Sequence, residues 1–253
     1  MACAIIAYAA LAASPAFAQR EPVLVPAVSQ SRIEVRQGFT GARLLLYGAV
    51  DEPGGAGRTS DYDIVVVLKG PAEAVRMREK ERFAGIWMNA ESSDFRSAPS
   101  FFAVASSRPV REIVDERTAA IYELGTDFIQ LSPSGQIDPE EQSRFVQGLV
   151  DLRRRKGLYQ ENPRGVSIAE KVLYQARIYL PSNVRTGRYT AETFAISRGR
   201  VLASATARIE VVKAGLEGQV VSAAQRWSFF YGLGAIALSL GMGWFAGRLF
   251  ARA

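Results

Sequence analysis

The segment Ser228–Gly247, SFFYGLGAIALSLGMGWFAG, has no charged side chain in 20 residues. As a helix that length rises about 30 Å, the thickness of a bilayer's hydrocarbon layer. Trp227, Phe229, Phe230 and Tyr231 crowd one end, and Trp244 and Phe245 the other. Aromatic rings at both ends are the pattern of the two membrane interfaces. The alternative, a core helix of a water-soluble fold, would need a polar face that this segment lacks. The segment therefore predicts a transmembrane helix over 227–248, a short tail over 249–253 with Arg252, and a body ahead of both. Within the helix Ala235, Ser239, Gly243 and Gly247 recur every four positions. Small residues at that spacing line one face and admit the backbone of a second helix. Ordinary glycine usage in membrane helices would give a similar row.

Residues 1–18, MACAIIAYAALAASPAFA, are apolar and small, and Ala16-Phe17-Ala18 precedes polar Gln19-Arg20-Glu21. A short apolar run ending in a small-x-small site reads as a secretory signal peptide, although no Lys or Arg opens it. An exported body followed by a stop-transfer helix places residues 19–226 in the periplasm. The chain is then single-pass in the bacterial inner membrane, with its C-terminus cytoplasmic. Arg248 and Arg252 agree with the positive-inside tendency, while Arg226 lies on the other side.

Residue chemistry excludes much. There is no histidine, and the one cysteine, Cys3, falls in the expected signal. Ser-His-Asp triads, Cys-His pairs and the usual zinc sites are thereby ruled out, and no disulfide is expected in the mature body. No cofactor or metal is expected. Two carboxylates alone can hydrolyse a glycoside, but Glu91 with Asp94 and Asp61 with Asp63 are neighbours only in sequence. The chain reads as non-enzymatic. Its net charge of +6 is scattered, apart from Arg153-Arg154-Arg155-Lys156 at a helix end, where cations meet the negative pole of the dipole. That run needs no nucleic acid to explain it.

Patterning of the body predicts a mainly β fold. Ala42–Val50 and Tyr62–Gly70 read as strands, the second with five consecutive apolar residues suited to burial on both faces. AVRMREKERF, AGIWMNAESSDF and PSFFAVASS follow as further strands, and DEPGGAGRTSD as a hairpin connection. Helices are expected near 109–124 and 139–156, the second with Asp138 as N-cap, Pro139 at N1 and Glu141 at N3. Strands return in SIAEKVLYQARIYL and in a hairpin around Gly199. The turn before Gly187-Arg188-Tyr189 suggests a tyrosine that ties a loop to a sheet. The expectation is one immunoglobulin-like β-sandwich ectodomain over 19–226 with inserted α-helices, or two successive domains as the alternative. Trp87 is expected in the core, a partner contact being the other reading.

The order of signal, GFTGARLLLYGAV, KERFAGIWMN, FFAVASSRP, GLYQ, TGRYTAETF and one terminal helix resembles an uncharacterised family of alphaproteobacterial transmembrane proteins. The resemblance implies association with a sulfite exporter-like permease of the TauE/SafE type, hence an accessory subunit of a membrane transport assembly. It carries no catalytic or binding residue. The expected partners are the lipid bilayer and an inner-membrane permease, or self-association through the transmembrane helix. A periplasmic anion-binding module and a carboxylate-based hydrolase are the competing readings.

Overall fold

The computed structural model describes residues 22–35, 40–51, 62–135, 138–170, 172–213, 224 and 226–250. The expected signal peptide and residues 52–61 of the glycine-rich DEPGGAGRTSD connection lie outside the described residues.

The protein is mainly β, with one long helix at the C-terminal side. The strands are β1 (Val23–Val28), β2 (Arg32–Val35), β3 (Gly41–Asp51), β4 (Asp63–Lys69), β5 (Ala72–Phe83), β6 (Ile86–Pro99) and β7 (Phe102–Ser106). After them come two short helices, α1 (Val110–Ile113) and α2 (Glu116–Ile121), a 3-10 turn at Thr126–Phe128, and the short strand β8 (Ser132–Pro133). Helix α3 (Pro139–Arg155) precedes β9 (Tyr159–Asn162), β10 (Val166–Ala169), β11 (Leu173–Pro181), β12 (Gly187–Ser197) and β13 (Arg200–Lys213). Helix α4 spans Ser228–Phe250.

Two sheets share one core. The first has the order β1-β3-β11-β10, all antiparallel; the second has the order β2-β13-β12-β4-β7-β9, with parallel pairs at both edges. Residues directly opposite in a ladder share a face. Leu44 pairs with Ile178 and Leu46 with Ala176. Their buried side chains meet Ile64, Val66 and Leu68 of β4 and Ala191 and Ala195 of β12 in a single hydrophobic cluster. Gly48 makes room in this layer, because a Cβ there would lie 2.7 Å from the Tyr174 hydroxyl. The other face of β4, with Val65 and Val67, lies under α1, α2 and the turn that follows them. There Tyr122 stacks edge-on against Phe194, 5.4 Å between ring centroids. Residues Ile64–Leu68 are at most 1 % exposed, so β4 is buried on both faces, as its unbroken apolar run predicts. Each such side chain stabilises the fold by about 1.5–3 kcal/mol.

Two local features differ from the sequence expectation. The helix expected near 109–124 is two helices, because Val114 is extended (φ −136°) and Asp115 starts a new helix by accepting a bond from Thr118 N. SIAEKVLYQARIYL is a hairpin, β10 against β11, and Val172 lies in its turn rather than in a strand. Asp138 caps α3 as expected, accepting its bond from Glu140 N at N2. The hairpin at Gly199 is as expected: Arg198 and Gly199 have φ of 50° and 77°, the two left-handed residues of a tight turn. Tyr189 is also as expected. It is fully buried and its hydroxyl donates to Arg185 O at 2.7 Å.

One feature has no counterpart in a simple sandwich. The β4–β7 ladder does not end at Lys69 and Phe102. Gly70 N donates to Phe101 O at 2.8 Å, Ser100 N donates to Pro71 O at 2.9 Å, and pairing resumes from Ala72 with Pro99 to Phe83 with Ile86. The same two strands thus continue past the edge of the second sheet as an arm, β5–β6, with β8 added along part of it. Helix α3 braces the arm: Arg144 pairs with Glu79 and Glu91, and Arg153 with Glu73.

Candidate functional site

Three regions are candidates: the long helix, the arm, and a cleft beside the short helices. Helix α4 has a mean hydropathy of 1.5 over Ser228–Arg248, and none of that stretch is buried by the rest of the protein. Apolar side chains point outward all round it, among them Leu233, Ile236, Leu238, Leu240 and Met242. A helix apolar on every side and uncovered by its own chain has lipid as its solvent. Trp227 packs against Phe230 at one end, and the Arg248 guanidinium lies 5.8 Å over the Trp244 ring at the other. Ala235, Ser239, Gly243 and Gly247 form one i, i+4 row, and nothing lies within 4 Å of a Cβ placed on Gly243 or Gly247. The Ser239 hydroxyl donates to Ala235 O at 2.9 Å, so it needs no polar partner in the membrane.

Trp87 is not in the core. It sits at the tip of the arm and is 66 % exposed. The expected strand is present, but no layer covers this end of the two-stranded ladder, so the usual burial of tryptophan does not hold here. The four α4 residues and Trp87 belong to separate regions.

A cleft of about 600 Å³ lies between β7, β9 and the short helices. Its floor is apolar, with Val104, Val114, Leu124 and Phe128, and its rim carries Asp115, Glu116, Asp127 and Glu161 against Arg111. Three of its acids, Asp115, Asp127 and Glu161, are already engaged. Asp115 caps α2, and Glu161 accepts from Thr126 N at 2.6 Å and from the Thr126 hydroxyl. Arg154 bonds Asp127 at 2.8 Å and also the Thr126 hydroxyl. Among the described residues no group of acids, cysteines or histidines is arranged to hold a metal.

Of the acids considered from the sequence, Asp61 lies outside the described residues, and Asp63, Glu91 and Asp94 are ion-paired. Asp63 takes two bonds from Arg108, at 2.8 and 2.6 Å, and one from the Ser107 hydroxyl. Burial pushes its pKa up, but these bonds outweigh burial and hold it below the ordinary carboxylate value. Asp94 is held low chiefly by its bond from Arg76. Glu91 and Asp94 are three apart on β6, so they point to opposite faces of the arm. Sequence reasoning missed the charge cluster at the arm's root. Glu73, only 12 % exposed at its side chain, lies between Arg153 and Arg185, with Arg185 Nε 2.5 Å from its second oxygen. The three positions are far apart in the chain and no spacing rule joins them.

A mainly β body carrying one lipid-exposed helix defines a membrane-anchored protein. Residues 23–252 match the family described as "Putative transmembrane protein (Alph_Pro_TM)", and the chain belongs to that alphaproteobacterial family. No curated protein matches it.

Proposed function

We propose that the protein is a non-enzymatic accessory subunit of a transport assembly in the bacterial inner membrane. Its β-sandwich body works in the periplasm, α4 crosses the bilayer once, and the Arg248–Arg252 end is cytoplasmic. The reading rests on α4, whose small-residue row is open along its length and offers a polytopic partner close backbone approach. Support for export comes from the signal-like residues 1–18 and from a body whose described residues contain no cysteine. The family resemblance points to a sulfite exporter-like permease as the class of partner. The lowered pKa values of Asp63 and Asp94 suit structural ion pairs rather than a proton-donating acid. The acid-rich rim of the cleft beside the short helices speaks against an anion as its ligand.

The test is photo-crosslinking in native membranes from position 243, followed by mass spectrometry of the adducts. A recurrent polytopic permease is the expected result. Adducts containing only lipid or a second copy of this chain would overturn the accessory reading and favour a self-associating anchor.

A further inference from the structure

The end of the arm has a composition unlike the rest of the body surface. Residues 81–92 are all exposed. Phe83, Ile86, Trp87 and Met88 are 73, 68, 66 and 53 % exposed, and they surround a turn made of Ala84 and Gly85. A hairpin end that faces water ordinarily carries Asn, Asp or Gly with polar flanks.

Register shows how these side chains are disposed. Phe83 pairs with Ile86 on one face of the ladder, and Trp87 pairs with Arg82 on the other. Apolar groups therefore project from both faces at the extreme end. A docking contact with a folded partner would bury one face of a two-stranded ladder. Apolar groups on both faces suit end-on entry into an apolar medium.

Behind the tip the chemistry changes. Arg76, Arg78, Lys80 and Arg82 alternate along β5, placing a basic row on the face away from Glu73 and Glu79. Arg76 is taken by Asp94, whereas Arg78, Lys80 and Arg82 make no ion pair among the described residues. An apolar tip followed by a basic row on the face that carries the amphipathic Trp87, with Glu79 and Glu81 on the other face, is the order met on crossing from acyl chains to anionic headgroups.

Topology brings this tip to the membrane side. β5 leaves β4 at Lys69, which pairs with Thr190 near the start of β12, and that start pairs with Val211 near the end of β13. Pro71, at the arm's root, packs where a side chain on Gly187 would lie. The arm thus projects from the sheet end at which the chain leaves for α4. Twelve residues of β5 rise about 40 Å. Residues 214–227 can span at most about 50 Å, which lets the body stand off the bilayer by the arm's length.

We infer that the tip of the β5–β6 arm inserts into the bilayer interface, making the arm a second, reversible membrane contact that holds the body at a fixed height over α4. The inference rests on α4 being the membrane anchor.

The test uses the full chain reconstituted in vesicles of equal parts phosphatidylglycerol and phosphatidylcholine. The tryptophans are Trp87, Trp227 and Trp244, so W227F/W244F leaves Trp87 as the only indole. Its emission is expected to shift to the blue and to be quenched by lipids brominated near the headgroup. I86D in the same background should abolish the quenching without moving the thermal midpoint, because the tip packs against nothing. Arg78, Lys80 and Arg82 changed together to Gln should shift the emission back towards that of water. The companion variant W87F/W227F reports α4 through Trp244. Trp244 quenched by lipid while Trp87 stays water-like and unquenched would overturn the arm insertion. Quenching of neither would overturn the anchor itself. Trp87 shielded only when two copies crosslink through the arm would replace the lipid by a second protomer.

Discussion

The two halves of the long β4–β7 ladder are made by the same pair of strands, yet they are opposite in chemistry. Below Gly70 and Phe101, β4 and β7 carry Ile64–Leu68 and Phe102–Ala105, buried between the first sheet on one face and the short helices on the other. Above them, β5 and β6 alternate charged and half-buried residues, and their far end is bare. Backbone pairing is common to both, so it cannot explain the difference. What differs is the number of covering layers: two over the lower half, α3 alone over the arm's root, none over the tip. Side-chain pattern follows cover. The apolar tip is the exception, since it is apolar without cover, and that is why it points to a membrane.

The comparison breaks most easily at its buried end. Val66→Asp places a carboxylate where no protein or water can pair it, and such a change costs more than about 4 kcal/mol. The full chain in detergent should then show no cooperative melt, by circular dichroism. A cooperative melt near the wild-type midpoint would mean that the lower half is not buried as described. The junction between the halves is the next largest. Glu73→Gln leaves Arg153, 15 % exposed at its side chain, without its counter-charge. The expected loss is about 3 kcal/mol, at the low end for a broken buried pair because Arg185 is largely solvated. Chemical denaturation would measure it, and a loss too small to resolve would detach the arm's root from the stability of the body.

Tyr189 sharpens the same junction. Its ring lies 6.0 Å from that of Phe101, the residue at which the ladder passes from one half to the other. Burial pushes its hydroxyl pKa up to about 12, so it stays a neutral donor to Arg185 O. Tyr189→Phe keeps the ring and removes the bond, for an expected loss of about 1 kcal/mol. A larger loss, with altered proteolysis of the arm, would show that the hydroxyl also sets the arm's angle.

The lower half was legible in the sequence and the upper half only in part, for physical reasons. An unbroken Ile-Val-Val-Val-Leu run can persist only where both faces are covered, so β4 announced its burial. The same holds for α4, whose length and lack of charge require lipid. Asp138-Pro139 and Arg198-Gly199 write local backbone geometry directly, and both ends were read correctly to within a residue. The split at Val114-Asp115 was hidden because the apolar period continues through the break. Val172 kept its strand parity across a turn. Trp87 failed differently: alternation shows that a strand has two faces, but not whether anything lies against them. The Glu73–Arg153–Arg185 cluster was invisible because it is assembled by tertiary packing alone.

The smallest expected effect compares one acid from each half. Asp63 begins β4 and is 17 % exposed at its side chain, bound by Arg108. Asp94 lies on the arm with its partner Arg76, both largely in solvent. Both carboxyls are held below their ordinary value, so the sign is the same for each. The ionised form is favoured by the fold, and its stabilisation is complete above the unfolded-state pKa near about 4. It is lost as pH falls through the lower folded value. The thermal midpoints of wild type and Asp63→Asn should therefore differ at neutral pH, by no more than about 1 kcal/mol because Arg108 is half exposed. They should converge in acid. Asp94→Asn should show the same convergence from a smaller starting gap, since water already solvates that pair. Equal gaps for the two variants would mean that the cover distinguishing the two halves acts on apolar side chains and leaves the ion pairs untouched.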